Sequence, residues 1–335
     1  MSDRPRARVW KVAAGLLLSA FALWLTLRHV DRADFVRAIA AARLPWLLLA
    51  LAAFVLMFVL RAARWAVLLG GTPFWTTFHA LTIGYMMNAI LPLRAGELGR
   101  AYVVSDRTGV GMARALSSVV VERVVDLASV VLLFAGFAVR VPMPPAFSRA
   151  ASLGAVAVVV AVAAGVVVVA KAKAFEAIVR RRLPGGGARF AGAWARFHEL
   201  CDGLRAVGST RRLGLLLALT VGIWAVTILV AYFAMTAFLP PDGEAAGLVV
   251  VVANLGGALP SAPGGLGVVQ AFAKIALVVP FHLPEDPSLA FVFVWSLGSQ
   301  LMCVVLGAIG LGRLGMSLGE ARRRAESSAK TEAKG

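Results

Sequence analysis

The sequence predicts an all-α, polytopic integral membrane protein, with about six full spans and two re-entrant broken helical hairpins that form an inverted repeat. Three observations predict it. Of the 335 residues, 60% are hydrophobic and 15% charged, where a soluble domain carries about 25% charged residues. Several apolar stretches reach the roughly 20 residues that cross a bilayer as a helix. Two more apolar stretches are interrupted by proline and glycine rather than by a polar loop.

The elements follow in order. Arg4, Arg6, Arg8 and Lys11 precede an apolar run that continues past the small-residue triplet Ala20-Phe21-Ala22 to Leu27. That run imitates a signal peptide but is too long for one, so it reads as an uncleaved first span over 10–27. Further spans are expected at 46–69, 117–139, 150–170, 213–238 and 289–311. The first broken region covers 76–110 and is interrupted by Leu91-Pro92-Leu93-Arg94-Ala95-Gly96-Glu97. The second covers 246–281 and is interrupted by Leu259-Pro260-Ser261-Ala262-Pro263-Gly264-Gly265-Leu266-Gly267. Residues 1–315 read as one transmembrane domain, and 316–335 as a charged, disordered cytoplasmic tail.

The net charge of +17 raises the question of nucleic acid. The basic residues sit in the loops between apolar segments, so the positive-inside rule accounts for them and no nucleic-acid partner is expected. Loop 171–212 carries ten Lys or Arg and is expected in the cytoplasm. Its two basic amphipathic stretches, separated by Pro184-Gly185-Gly186-Gly187, are suited to the inner leaflet. Parity then requires the first broken region to enter and leave from the cytoplasmic side, and the second from the external side. Both termini fall inside. One feature resists this topology: segment 28–45 is placed outside although it holds Arg28, Arg32, Arg37 and Arg43. Cys201 and Cys303 fall in a basic loop and an apolar segment, which suits one cytosolic thiol and one packing residue rather than a disulfide.

The two breaks resemble each other. Asn88 precedes Leu91-Pro92 and Gly96; Asn254 precedes Leu259-Pro260, Pro263, Gly264, Gly265 and Gly267. Paired discontinuous helices in inverted repeats commonly flank a transporter's substrate site. Irregular backbone at membrane depth must be buried in protein or line a wet cavity. Half-helix ends there offer N–H groups and partial positive charge to an anion.

Ionisable side chains within membrane segments cost roughly 2.5–3.5 kcal/mol each on insertion scales, and so point to function. Arg94, Glu97 and Arg100 surround the first break, and Glu122, Arg123 and Asp126 open the following span. Glu122 and Asp126 are four apart and share one helix face. The reading places Arg94, Arg100 and Arg123 around a lipid phosphate, which the planar guanidinium fork binds through two oxygens. The carboxylates would hold those arginines or meet a cationic head group; a salt-bridge network that only fixes packing is the alternative. Arg61 and Arg64 read as snorkelling to the interface. Gln270 and Lys274 read as an opposite gate, or Lys274 as an outward snorkel. The four histidines lack metal-ligand spacing, and neither a cofactor nor a metal is expected.

Taken together, Arg64-Trp65, Asn88-x3-Pro92-x3-Gly96-Glu97-x2-Arg100, Ala115-x6-Glu122-Arg123-x2-Asp126 and Pro260-x2-Pro263-Gly264-Gly265-Leu266-Gly267 resemble the lysylphosphatidylglycerol synthase transmembrane family, also called flippase-like or UPF0104 membrane proteins. The resemblance covers about 10–315 and implies the lipid-translocating membrane part. It does not extend to the soluble aminoacyltransferase domain of the full-length synthases, which this sequence is expected to lack. Three readings follow: a flippase for an anionic or polyprenyl-linked lipid in the bacterial inner membrane, a membrane enzyme acting on a lipid-phosphate sugar through Glu97 or Asp126, or a non-catalytic partner of a lipid-modifying enzyme.

Overall fold

The computed structural model describes residues 32–91, 95–142, 210–257 and 265–317, with isolated positions at 21, 24, 26, 153, 156, 160 and 319. Apart from those isolated positions, the expected spans 10–27 and 150–170, and nearly all of loop 171–212 and the tail, lie outside these residues, as does Cys201. Among the described residues the regular structure is helical: α1 (Arg32–Ala40), α2 (Leu44–Leu68), α3 (Phe74–Ile90), α4 (Gly96–Thr108), α5 (Met112–Arg140), α6 (Thr210–Thr236), α7 (Gly243–Gly257), α8 (Val268–Phe281) and α9 (Glu285–Leu314).

Local chemistry explains the boundaries. α2 opens with a proline in its first turn, where the missing N–H is harmless. α3 stops at Ile90, with extended Leu91 leading into Pro92, because the residue before a proline is pushed out of the helical region. Asp242 Oδ1 accepts the N–H groups of Glu244 and Ala245 at 2.9 and 3.0 Å and so caps α7. α2, α6 and α9 are long and apolar enough to cross a membrane. α5 has 29 residues but carries Glu122, Arg123 and Asp126. Residues 210–212, expected in the preceding loop, form the first turn of α6.

Contacts between helix ends define the two faces of the bundle. On one, Arg43 donates to the carbonyls of Thr236 and of Leu239 (3.1 Å), Arg140 lies 3.8 Å from Glu244, and Lys274 lies 2.7 Å from Glu285. On the other, Arg107 donates to the Leu314 carbonyl, Arg114 lies against Gly70, and Gly70, Gly71, Arg211 and Arg212 border one cleft. α2, α5, α6 and α9 run between these faces. Arg43, one of the four arginines that strained the topology, closes the carbonyl end of α6.

α3 and α4 leave and return to the same face, while α7 and α8 do so at the opposite one. Both pairs are antiparallel hairpins, as expected for the two breaks. With 17 and 13 residues, α3 and α4 are about 25 and 20 Å long, short of the roughly 30 Å hydrocarbon core. In the first hairpin Gly84 faces Gly96 and Arg100, and Met87 faces Gly99; in the second, Gly256 faces Phe272 and Gly257 faces Val269. One apolar core gathers α7 and α8 with α6 and α9, and another gathers α2, α3, α4 and α5; Phe233 and Trp295 pack against both.

Candidate functional site

The charged residues expected at membrane depth converge where α4 and α5 meet α2. Arg100 on α4 donates through Nη1 to both oxygens of Glu122, at 3.2 and 3.1 Å. Its guanidinium lies over the Trp65 ring, 4.8 Å from the centroid. Trp65 Nε1 in turn donates to Ser118 Oγ at 2.9 Å, fixing α2 against α5. Arg64 Nη2 is 2.7 Å from Asp126 Oδ1 and 3.8 Å from Glu122, and Arg64 Nη1 donates to Thr220 Oγ1 on α6 at 3.4 Å. Arg61 Nη1 donates to Asp126 Oδ2 at 3.4 Å and to Tyr85 Oη at 3.1 Å.

Arg61 and Arg64 therefore do not snorkel to an interface. The Arg64 side chain is 2% exposed and that of Arg61 10%. They occupy consecutive turns of the α2 face turned toward α5, and so meet two carboxylates that are also a turn apart. This spacing was a usable signal: an i, i+4 acidic pair inside a span calls for a basic pair of matching pitch. The buried part of the site thus includes Arg61, Arg64, Trp65 and Ser118, which sequence reasoning did not assign to it.

Its open edge is Arg123 with Glu97. Arg123 Nη2 is 2.8 Å from Glu122 and 3.8 Å from Asp126, and its Nε is 3.6 Å from Glu97. The Arg123 side chain is 37% exposed and Glu97 27%, while Glu122 is 1% exposed. Four guanidinium groups (Arg61, Arg64, Arg100, Arg123) face three carboxylates (Glu97, Glu122, Asp126) among the described residues, an excess of one positive charge. Among the described residues, Arg100 Nη2 and the Nε atoms of Arg61 and Arg64 are buried without a hydrogen-bond acceptor. Such an arrangement suits one further anion, admitted at the Arg123 edge.

The first break supports this cluster directly. Asn88 Oδ1 accepts the Gly96 N–H at 2.9 Å across the hairpin, so the break delivers Glu97 and Arg100 from the first turns of α4. Gly96 is required by close approach, since a Cβ there would stand 1.9 Å from the Gly84 carbonyl oxygen. Pro92 and Arg94 lie outside the described residues, as do Pro260, Pro263 and Gly264 of the second break.

The second break is built differently. Gln270 Oε1 accepts the Gly267 N–H at 2.7 Å, and its Nε2 donates to Ser296 Oγ at 2.9 Å. Gly265 and Gly267 have φ of +73° and +84°, in the region that favours glycine. Asn254 bonds back to the Val250 carbonyl of its own helix at 2.7 Å. These bonds stay within α7, at the start of α8 and between α8 and α9, whereas the charged cluster is assembled by α2, α3, α4, α5 and α6.

Fold and site together define a multi-pass helical membrane protein whose intramembrane charges gather at a broken helix. The chain belongs to the family of the lysylphosphatidylglycerol synthase TM region, whose sequence model matches residues 12–307. A UPF0104 membrane protein of Methanothermobacter thermautotrophicus is 26% identical over 308 residues, covering 88% of this chain and 89% of that protein. Glycosyltransferase AglD of Haloferax volcanii is 30% identical over 135 residues, which are 39% of this chain and 22% of that protein. No solved structure matches.

Proposed function

We propose that the protein translocates an anionic or polyprenyl-linked lipid across the bacterial inner membrane, with both termini and the basic 171–212 loop in the cytoplasm. The observation that carries this reading is the buried cluster with one uncompensated positive charge and a half-exposed arginine at its edge. A lipid phosphate arriving at Arg123 joins the Glu97 carboxylate there, and its single negative charge balances the excess. Arg107, Arg114, Arg211, Arg212 and Arg313 lie toward the helix ends on one face, which supports assigning that face to the cytoplasm. The ligands of the protein are then membrane lipids, and movement is passive or ion-coupled.

A second reading takes its support from the relative named as a glycosyltransferase: the chain acts on a lipid-phosphate sugar, with Glu97 or Asp126 as acid or base. The lipid extract of a deletion strain separates the two. Loss of an enzyme removes a lipid species, whereas loss of a translocator leaves it on the wrong leaflet.

The direct test uses purified protein in liposomes carrying fluorescent phospholipid, bleached from outside with dithionite. Bleaching is expected to pass the protein-free plateau and to return to it in Arg123→Ala and in Glu97→Gln. Both variants sit at the exposed edge and are expected to melt close to wild type. Wild-type bleaching in both would refute the assigned site, and a plateau for every lipid tested would refute translocation.

A further inference from the structure

Beyond the charged cluster, residues of α5 and α6 line a groove of about 440 Å³. That volume lies within the roughly 300–1,000 Å³ of small-ligand sites. Leu133, Phe137, Val221 and Trp224 line it, together with Gly136, and Arg140 stands at the helix end. A Cβ added at Gly136 would meet nothing within 4 Å, so the missing side chain contributes to the open space.

We propose that this groove seats one acyl chain of an anionic glycerophospholipid, with the lipid phosphate on Arg140. Three observations select that occupant. The first is length. The lining residues on α5 run from Ser129 to Arg140, about 16 Å at the α-helical rise. This is close to half of the roughly 30 Å hydrocarbon core, so the groove fits a chain of one leaflet rather than a long polyprenyl tail. The second is position. Asp126 is the midpoint of α5, so the groove occupies the outer half of the helix and Arg140 reaches the head-group level. The third is charge. The Arg140 side chain is 73% exposed, and its partner Glu244 is 3.8 Å away and 49% exposed. A surface pair of that kind has little net strength and gives way to a phosphate bound through two oxygens.

The groove ends beside the cluster. Ser129 lies one turn past Asp126, and Val221 follows Thr220, the acceptor of Arg64. A lipid seated there has its chain terminus at the charged site and its phosphate one leaflet away, as a lipid waiting for or leaving translocation would. The seat adds to the proposed transport, but binding is read without transport, so each can fail alone.

The test is native mass spectrometry of the whole chain, released from detergent micelles equilibrated with phosphatidylglycerol or phosphatidylcholine. Gly136→Leu extends a side chain into the groove from a Cβ that meets nothing within 4 Å, and replaces a poor helix former with a good one, so the fold is retained. The wild type is expected to hold one phosphatidylglycerol more than Gly136→Leu. Arg140→Gln is expected to weaken phosphatidylglycerol retention about fivefold, the share of one basic side chain at an anionic surface, and to leave phosphatidylcholine unchanged. Equal phosphatidylglycerol stoichiometry in wild type and Gly136→Leu overturns the seat. So does an Arg140→Gln variant that treats the two lipids as wild type does. If the lipid is lost from both variants while wild-type liposomes fail to bleach, the seat stands and the translocation reading falls.

Discussion

The two hairpins share a construction and differ in what they carry. α3–α4 and α7–α8 are both antiparallel, both brought together at glycines, and they return to opposite faces of the bundle. The first sends Glu97 and Arg100 into a network with α2 and α5. In the second, α7 is lined by buried Ala, Val and Leu, and Gln270 uses its amide on Gly267 and Ser296. A broken helix at membrane depth is therefore not by itself a binding site. It becomes a candidate where the break also delivers charges that the protein leaves unbalanced.

The largest effect expected from this difference is at Glu122. Glu122→Ala strips Arg100 of its carboxylate and leaves Arg64 one partner fewer inside the bundle, and Arg123 one fewer at its edge. Removing one member of a buried ion pair costs about 3–5 kcal/mol, so the variant is expected to lose most of its folded population in detergent. The counterpart in the second hairpin is Gln270→Ala, which breaks two neutral hydrogen bonds and leaves the Gly267 N–H unsatisfied, at about 1–3 kcal/mol. Melting followed by size-exclusion recovery compares them. Equal losses would remove the distinction between a charged and an apolar hairpin.

A smaller contrast concerns the glycines. Gly96→Ala drives its Cβ to 1.9 Å from a backbone oxygen, which can move only with its helix. Overpacking of this kind costs about 1–3 kcal/mol, and the shift also displaces Glu97 and Arg100. Gly256→Ala meets the Phe272 ring at 2.9 Å, and a ring can turn aside more cheaply than backbone. The first variant is expected to lower both melting temperature and dithionite-detected transport, and the second mainly the melting temperature. A Gly256→Ala protein with a full fold and no transport would show that the second hairpin takes part in movement of the lipid.

Much of the fold was legible because apolar length is a property of one segment. The runs at 46–69, 117–139, 213–238 and 289–311 became α2, α5, α6 and α9 with ends shifted by a few residues. The breaks were legible because proline and glycine are out of place in an apolar run. Parity of the basic loops even anticipated that the hairpins return to opposite faces. Pairings through space were harder. Arg61 and Arg64 sit near a helix end, where snorkelling is the ordinary expectation, and their carboxylates arrive some sixty residues later on another helix. Trp65 entered the site as a platform for Arg100, a role that no local spacing announces.

The finest test lies between the two asparagines that made the breaks look alike. Asn88 accepts an N–H from the opposite arm of its hairpin, so Asn88→Ala leaves the Gly96 N–H without its acceptor and is expected to cost about 1 kcal/mol. The loss falls at the start of α4, one residue before Glu97, so transport should decline along with stability. Asn254 is exposed and bonds within its own helix turn. Asn254→Ala removes a bond whose carbonyl partner already accepts in the helix, and should stay within about 0.5 kcal/mol of wild type. Equal stability with lost transport in Asn254→Ala would give that residue a substrate role through its exposed amide. Near-wild-type behaviour in both properties would leave the shared Asn–Leu–Pro pattern as a likeness of construction, with the chemistry confined to the hairpin whose asparagine reaches across.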